Sequence, residues 1–177
     1  MHPSSIMNMR KAIDSIKNEF LQPEEMIILD VGGRNIGPQD RSYKSMFEKF
    51  KYYYIADINR GPNVTHLMKA QYELPFEDNS IDLILSGQTL EHVNNPFKLV
   101  AEMKRVLKTN HYMCLCAPSA GPYHDNPDVW RFMDDAFKAI ANDIGGLKIT
   151  QDWVYRTGNA ADRGERWQDH TCVIKKI

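Results

Sequence analysis

Short apolar runs alternate with amphipathic stretches along most of this chain. Apolar residues recur at helical spacing from Ile6 to Phe20, which predicts an amphipathic helix over residues 5–21. Runs rich in β-branched and aromatic residues, bounded by Gly, Pro, Asn or Asp, predict strands. The predicted strands are residues 26–31, 51–58, 63–67, 81–86, 111–117, 147–155 and 170–176. The predicted later helices are residues 38–50, 96–108 and 127–143.

The alternation of strands and helices predicts an α/β fold with a doubly wound sheet. A length of 177 residues suits one domain, so we expect a single domain over residues 1–177, with an N-terminal helical segment, 1–22, and no separate substrate domain. The net charge of −1 gives no general reason to expect nucleic-acid binding. No apolar run approaches the roughly 20 residues that span a bilayer, so no membrane partner is expected.

The three cysteines and the N-terminus bear on the compartment. The N-terminal stretch lacks the apolar core of a signal peptide. Cys114 and Cys116 lie two apart on one predicted strand, which places them poorly for a disulfide with each other. We interpret all three cysteines as core residues in a reducing cytoplasm. Because this Cys-x-Cys pair has no obvious partner ligands, no metal site is expected.

Residues 27–37, IILDVGGRNIG, combine an apolar run with a glycine turn. An apolar run before such a turn is typical of a buried parallel strand, and Gly32 and Gly33 allow close approach of a ligand to the backbone. Two interpretations stay open. The turn is either the nucleotide-binding corner of a doubly wound sheet or a tight strand–helix connection without a ligand.

The second predicted strand, within residues 51–58, ends near an acid, Asp57. In nucleotide-binding α/β units an acid at this point accepts hydrogen bonds from the ribose hydroxyls. Its distance along the chain from Asp30 fits that role, so Asp57 is the candidate ribose ligand. The alternative is a solvated aspartate at a strand end.

Four motifs occur together in one order: IILDVGG, YIADI, LPFEDNSIDLILSGQTLEHV and PFKLVAEMKRVLKTNHYMCLCAP. This succession, within residues 27–118, resembles the class I S-adenosylmethionine-dependent methyltransferases of the methyltransferase type 11 kind. The later stretch PSAGPYHDNPDVWRF resembles a bacterial subgroup linked to surface-polysaccharide genes. The resemblance implies a Rossmann-like, seven-stranded, mostly parallel sheet with a C-terminal antiparallel strand, flanked by helices, and S-adenosyl-L-methionine as cofactor. The cofactor-binding residues that it implies are Asp30, Gly32, Gly33, Arg34, Asp57, Ile58, Ala70, Gln71, Ser86 and Gln88.

Two positions depart from the family pattern. Arg34 stands where the usual turn has its second glycine, and it either crowds the methionine end of the cofactor or points away. Ala70 stands where an acid usually lies near the adenine, so adenine recognition is expected from main-chain groups or from Gln71.

An oxygen acceptor must lose a proton during methyl transfer, so a base within reach is expected. His124 lies in the turn after the fifth of these strands, where a side chain can meet the acceptor, and it is the candidate base. His92 is the second candidate, with loop anchoring as its alternative role. Asn126 and Asp128 are expected to cap the helix 127–143.

Three functions remain open from the sequence. The first is methyl transfer to a small-molecule or glycan acceptor, with an oligomer allowed. The second is a nicotinamide-dependent oxidoreductase, which needs a glycine at the position of Arg34. The third is a cofactor-binding module without turnover, which Arg34 and Ala70 keep open.

Overall fold

The computed structural model describes residues 3–20, 22–36, 42–155 and 167–177, and a seven-stranded sheet lies at its centre. The strands are β1 (Ile27–Val31), β2 (Tyr52–Asp57), β3 (His66–Leu67), β4 (Ile81–Gly87), β5 (Leu107–Ala120), β6 (Leu147–Tyr155) and β7 (Gln168–Lys176). The α-helices are α1 (Pro3–Ile16), α2 (Pro96–Val106) and α3 (Ala136–Ile144). Short 3-10 turns lie at Lys17–Glu19, Pro23–Glu25, Tyr43–Phe47 and Leu90–His92.

The sheet has the order β3-β2-β1-β4-β5-β7-β6. Strand β7 is antiparallel to both of its neighbours, and the other pairs are parallel. This confirms the predicted Rossmann-like sheet. From β1 the chain moves to one side to form β2 and β3, and then returns to the other side of β1 to form β4. Ligands bind beyond the carboxyl ends of the strands at such a reversal of strand order.

Apolar layers cover both faces of the sheet. One layer includes Leu99 and Met103 of α2 and Phe137 of α3, and the other includes Met9 of α1 and Tyr43 of the 3-10 turn. All five side chains are buried. The central strands are therefore buried on both sides, which explains why they appear in the sequence as continuous apolar runs.

The helix predicted over residues 38–50 is wrong in its described part. Residues 37–41 lie outside the described residues, and the rest forms the 3-10 turn Tyr43–Phe47 after the cap Ser42, whose Oγ accepts from Lys44 N at 3.4 Å. Tyr43 is buried, and its hydroxyl lies 3.0 Å from Ser5 Oγ of α1. We attribute the short turn to these tertiary contacts, which outweigh weak helical propensity.

The helix predicted over residues 127–143 begins only at Ala136. Backbone amides of Val129 and Trp130 donate to the Glu91 carbonyl at 2.8 and 3.3 Å, and Phe132 N donates to Pro118 O at 2.8 Å. These bonds to distant carbonyls replace the bonds of a helix. The predicted caps are wrong for the same reason: Asp135 lies at the cap position, while Asp128 binds other partners.

Smaller differences concern element ends. Strand β5 begins at Leu107, paired with Ile81 of β4, so α2 ends at Val106 rather than at 108. The helix predicted over 5–21 ends its α-helical part at Ile16. The three cysteines are buried and free, which confirms their interpretation as core residues. Among the described residues, no helix is both long enough and apolar enough to cross a bilayer.

Candidate cofactor and acceptor site

A cleft of about 280 Å³ lies over the carboxyl ends of β1, β2 and β4. This is the place that the strand order predicts for a ligand. Its volume is close to the lower end of small-molecule sites, which run from roughly 300 to 1,000 Å³. Its lining residues are Val31, Gly32, Arg34, Ile36, Asp57, Ile58, Asn59, Met68, Gln71, Gln88, Thr89, His92, Val93, Leu99, Asp125, Asn126 and Pro127.

Gly32 forms the floor of the cleft at the end of β1. Its φ is +80°, a left-handed conformation that favours glycine, and its amide donates to Ala56 O at 2.8 Å. A Cβ at this position would collide with the side chain of Thr89. Both the backbone conformation and the space therefore require glycine here.

Asp30 and Gly33 support the turn from below, outside the cleft lining. Asp30 is fully buried, and its Oδ2 accepts a hydrogen bond from the Tyr53 hydroxyl at 2.8 Å. A Cβ on Gly33 would collide with the Asp30 carboxylate. The pair of predicted residues therefore packs together beneath the turn.

Asp57 and Arg34 face each other on the wall of the cleft. Asp57 is only 9% exposed, and its Oδ1 accepts from Asn59 N at 2.8 Å. Arg34 Nε lies 3.6 Å from the same oxygen, which is too long for a strong hydrogen bond. The Arg34 side-chain stem lies against Gly61, where a Cβ would come within 2.6 Å of it. The arginine thus turns toward the candidate ribose ligand.

Of the predicted cofactor-binding residues Ile58, Ala70 and Gln71, two line the same part of the cleft. Ile58 lines it and is 46% exposed, and Gln71 lines it while its Oε1 accepts from Asn94 N at 3.4 Å. Ala70 is not among the lining residues. Gln71, rather than Ala70, therefore presents a polar side chain to this part of the cleft.

Ser86 and Gln88 lie at the end of β4. Ser86 is buried, and its Oγ donates to Val31 O at 2.9 Å, so it joins two strands beneath the cleft. Gln88 lines the cleft in a left-handed conformation, φ +55°, and its Nε2 donates to Asp169 Oδ1 at 3.0 Å. Asp169 also accepts from Ser4 Oγ at 2.7 Å. This chain of bonds connects the cleft to α1.

The two candidate histidines lie next to each other at the opposite end of the cleft. Their ring centroids are 5.0 Å apart. His92 lines the cleft, and its Nδ1 lies 2.6 Å from Pro127 O. His124 is not a lining residue, and its Nδ1 lies 3.1 Å from Asp128 Oδ2. Hydrogen bonds from Arg131 hold the pKa of the Asp128 carboxyl well below its usual range, so Asp128 faces His124 as an anion.

Glu91 lies beside these histidines and is fully buried. Burial raises the pKa of Glu91 to about 8. His92 Nε2 lies 3.5 Å from Glu91 Oε1. Glu91 belongs to the LEHV-containing motif after β4, but only the structure shows how deeply its carboxyl is buried.

Several lining residues were missed by the sequence analysis. Thr89 fills the space above Gly32, and Met68, Val93 and Leu99 supply apolar surface. Thr89 belongs to the LEHV-containing motif and follows β4 directly, so its position beyond a strand end was the available signal. The apolar residues carry no such signal, because a core residue and a lining residue look alike in a sequence.

Comparison with known sequences gives matches to parts of this chain. Residues 46–115 match a family of methyltransferase domains. The chain is 36% identical over 52 residues to an uncharacterised methyltransferase of Schizosaccharomyces pombe, and 43% identical over 49 residues to one of Mycobacteroides abscessus. These segments cover 29% and 28% of this chain, respectively, and 19% of each relative. The chain thus matches only about a fifth of the length of these curated relatives.

Solved structures share the whole fold. The crystal structure of an S-adenosylmethionine-dependent methyltransferase from Aquifex aeolicus has a TM-score of 0.60 at 21% identity, with 100% of both chains covered. At that identity the likeness concerns the fold. The family match over residues 46–115 and this shared fold both agree with the resemblance to class I S-adenosylmethionine-dependent methyltransferases.

Proposed function

We propose that this chain binds S-adenosyl-L-methionine and transfers its methyl group to an oxygen of a small-molecule or glycan acceptor. The observation that carries the proposal is the cleft at the reversal of strand order, with the Gly32 turn as its floor and the Asp57 carboxylate on its wall. The family match and the shared fold support the cofactor class. We further propose that the chain acts in the cytoplasm. We also propose that neither a nucleic acid nor a membrane is its partner.

The residues present fit the cofactor in two respects. The left-handed turn at Gly32 leaves open backbone at the end of β1, where a ligand can approach closely. Asp57 is an acceptor at the end of β2, where the ribose hydroxyls of a nucleoside are expected. Gln71 is the polar side chain proposed for the adenine, and Gln88 the one for the methionine end. Arg34 reaches Asp57, so ribose binding must compete with or rearrange this contact.

The acceptor is proposed to lie between His92 and the loop of residues 121–130. S-adenosyl-L-methionine supplies a methyl group already activated by its sulfonium, and the sulfur keeps the electron pair of the broken bond, so S-adenosyl-L-homocysteine is released. Alignment of the acceptor is then the main task of the protein. His124 is the proposed base that takes the hydroxyl proton: Asp128 holds its Nδ1, which directs Nε2 as the nitrogen with a lone pair.

Calorimetric titration with S-adenosyl-L-methionine, S-adenosyl-L-homocysteine and NAD tests the cofactor assignment. We expect the first two to bind at one site and NAD not to bind. Binding of NAD alone would instead favour an oxidoreductase. If none of the three compounds binds, the proposal is wrong.

Methyl transfer is tested by mass spectrometry with a panel of hydroxylated small molecules and glycans. We expect His124→Ala to lower turnover about 10²–10⁴-fold, the usual worth of general-base catalysis, while cofactor affinity stays within about twofold. His111→Ala is the matched control, since His111 lies by Asp82 and Lys108, far from the cleft lining. Cofactor binding without transfer to any acceptor would favour the module without turnover.

A further inference from the structure

Three potential metal ligands converge beside the cleft: Glu91, His92 and His124. Their ligand atoms all lie within 4.8 Å of one another, and His92 Nε2 is 3.5 Å from Glu91 Oε1. Ligand atoms around a tetrahedral Zn²⁺, at about 2.0–2.2 Å from the ion, lie about 3.3–3.6 Å apart. One pair already has this spacing, and the third ligand reaches it with a shift of roughly 1 Å.

The burial of Glu91 is the independent observation that points to an ion. Its side chain is 0% exposed, and neither carboxylate oxygen has a hydrogen-bond partner in another described residue. A buried carboxyl group without partners is costly, and a bound ion is one of the standard explanations for such a group. The Nε2 atom of His92 lies 3.5 Å from one oxygen of this group.

Both histidines are oriented in the manner of metal ligands. His92 Nδ1 donates to Pro127 O, and His124 Nδ1 donates to Asp128 Oδ2. A ligating histidine commonly donates its second ring N–H to a carbonyl or a carboxylate, which fixes the tautomer and the ring plane. Asp128 is itself held by Arg131, with Nη1 2.6 Å from Oδ1. The second layer of such a site is therefore present as well.

We propose that Glu91, His92 and His124 bind one divalent transition-metal ion of the zinc class, with an open coordination position toward the cleft. Two imidazoles and one carboxylate are a known ligand set of catalytic zinc sites, which keep a further position for water or substrate. Nitrogen ligands disfavour Mg²⁺ and Ca²⁺, which prefer oxygen. From the sequence we expected no metal site, and only the folded loop of residues 121–130 brings His124 to the other two residues.

The use of the ion rests on the proposed function. The ion would supply Lewis acidity, which would lower the pKa of an acceptor hydroxyl at the open position so that its proton could pass to solvent. In that case His124 is a metal ligand and not the base proposed above, because coordination occupies the lone pair that a base needs. The metal site itself depends only on the three side chains.

Titration of chelator-treated protein with Co²⁺, without cofactor or acceptor, tests the site. Co²⁺ stands in for Zn²⁺ and reports nitrogen coordination by its visible absorption. We expect one equivalent to bind, Zn²⁺ to displace it, and Glu91→Gln and His92→Ala each to weaken affinity at least tenfold. Asp128→Asn should weaken it by about 10–100-fold, the usual effect of losing a partner of a ligating histidine. His111→Ala should bind as the wild type does.

Absence of stoichiometric binding, or binding that neither Glu91→Gln nor His92→Ala weakens, would overturn the inference. The thermal unfolding of each variant is measured beside the titration, and His92→Ala decides the result if Glu91→Gln does not fold. Cofactor binding without metal binding overturns this inference and leaves the proposed function intact. Metal binding without cofactor binding would support the metal site and overturn the proposed function.

Discussion

At the scale of single residues, the Asp57 carboxylate on the cleft wall already contacts two groups of the protein. Asp57 accepts from its own turn through Asn59 N and lies 3.6 Å from Arg34 Nε. A partly exposed ion pair at this distance contributes little, about 0–1 kcal/mol. A hydrogen bond between a ligand hydroxyl and a charged group typically contributes more, about 1.5–3 kcal/mol. The ribose should therefore displace the arginine rather than be blocked by it.

This comparison predicts different effects for the two side chains. Asp57→Ala should weaken binding of S-adenosyl-L-methionine at least about tenfold, whereas Arg34→Met should change it by less than about fivefold. Calorimetry measures both, with the exposed Asp143→Ala as control. Unchanged affinity in Asp57→Ala would refute the ribose assignment. A large gain in Arg34→Met would show that the arginine competes strongly with the cofactor.

A second prediction compares two glycines with positive φ. Gly32 has φ +80° and the Thr89 side chain in the place of a Cβ, whereas Gly145 has φ +68° and no atom within 4 Å of that place. Gly145→Ala should lower the free energy of unfolding by about 1–3 kcal/mol, because its φ of +68° and ψ of 167° lie in a region that is almost restricted to glycine. Gly32→Ala should lower it further, because hydrogen bonds to Val31 O and Gly87 O hold Thr89 in place. Urea unfolding measures the two losses, and equal losses would contradict the proposed collision.

At the scale of elements, the strands were predictable and the connections were not. Strands β1, β2 and β4 are apolar runs that the sheet buries on both sides, so their sequence pattern and their environment agree. The segment 127–135 has helical spacing of apolar residues, but it bonds to Glu91 O and Pro118 O. Such long-range partners leave no local signal. For the same reason the sequence located Asp57 and Gly32 but not the cluster around Glu91.

The connection between β3 and β4 is held to α2 by one ionic network. Glu102 accepts from Leu74 N at 2.9 Å and from Arg105 Nε at 2.9 Å. Arg105 in turn donates to Leu74 O, Phe76 O and Asp78 Oδ1. Because several bonds share these two side chains, the network has a fixed geometry that an isolated surface pair lacks. It therefore positions the residues that precede β4.

Loss of the Glu102 charge should lower stability in a pH-dependent way. The hydrogen bond from Arg105 lowers the pKa of Glu102 in the folded protein below the ordinary 4.5. Its contribution is therefore present above pH 4.5 and disappears as the pH falls through the lower, folded pKa. Glu102→Gln should cost about 1–3 kcal/mol at pH 7 and less at pH 3. Urea unfolding at both pH values checks this, with the exposed Glu77→Gln as control; a loss that does not depend on pH would contradict it.

At the scale of the whole molecule, the cleft brings together residues that are far apart in the chain. Its floor comes from β1, its walls from the ends of β2 and β4, and its far end from the loop before α3. Gln88 and Asp169 extend this connection to Ser4 of α1 and to β7. A ligand in the cleft touches segments that separate on unfolding. Its binding energy should therefore appear as stability of the whole sheet rather than of one loop.

Thermal unfolding with added S-adenosyl-L-homocysteine tests this coupling. A ligand that binds only the folded state at 100 times its Kd adds about 2.7 kcal/mol, and each kcal/mol raises the Tm of a chain of this size by about 2–4 °C. S-adenosyl-L-homocysteine at that concentration should therefore raise the Tm by about 5–10 °C in one cooperative transition. Asp57→Ala at the same concentration should show a smaller rise, because its Kd is weaker while its unliganded fold keeps the same sheet. A rise in Tm with NAD but not with S-adenosyl-L-homocysteine would assign the cleft to a different cofactor. Unfolding in two separate steps would show that the ligand stabilises only part of the sheet.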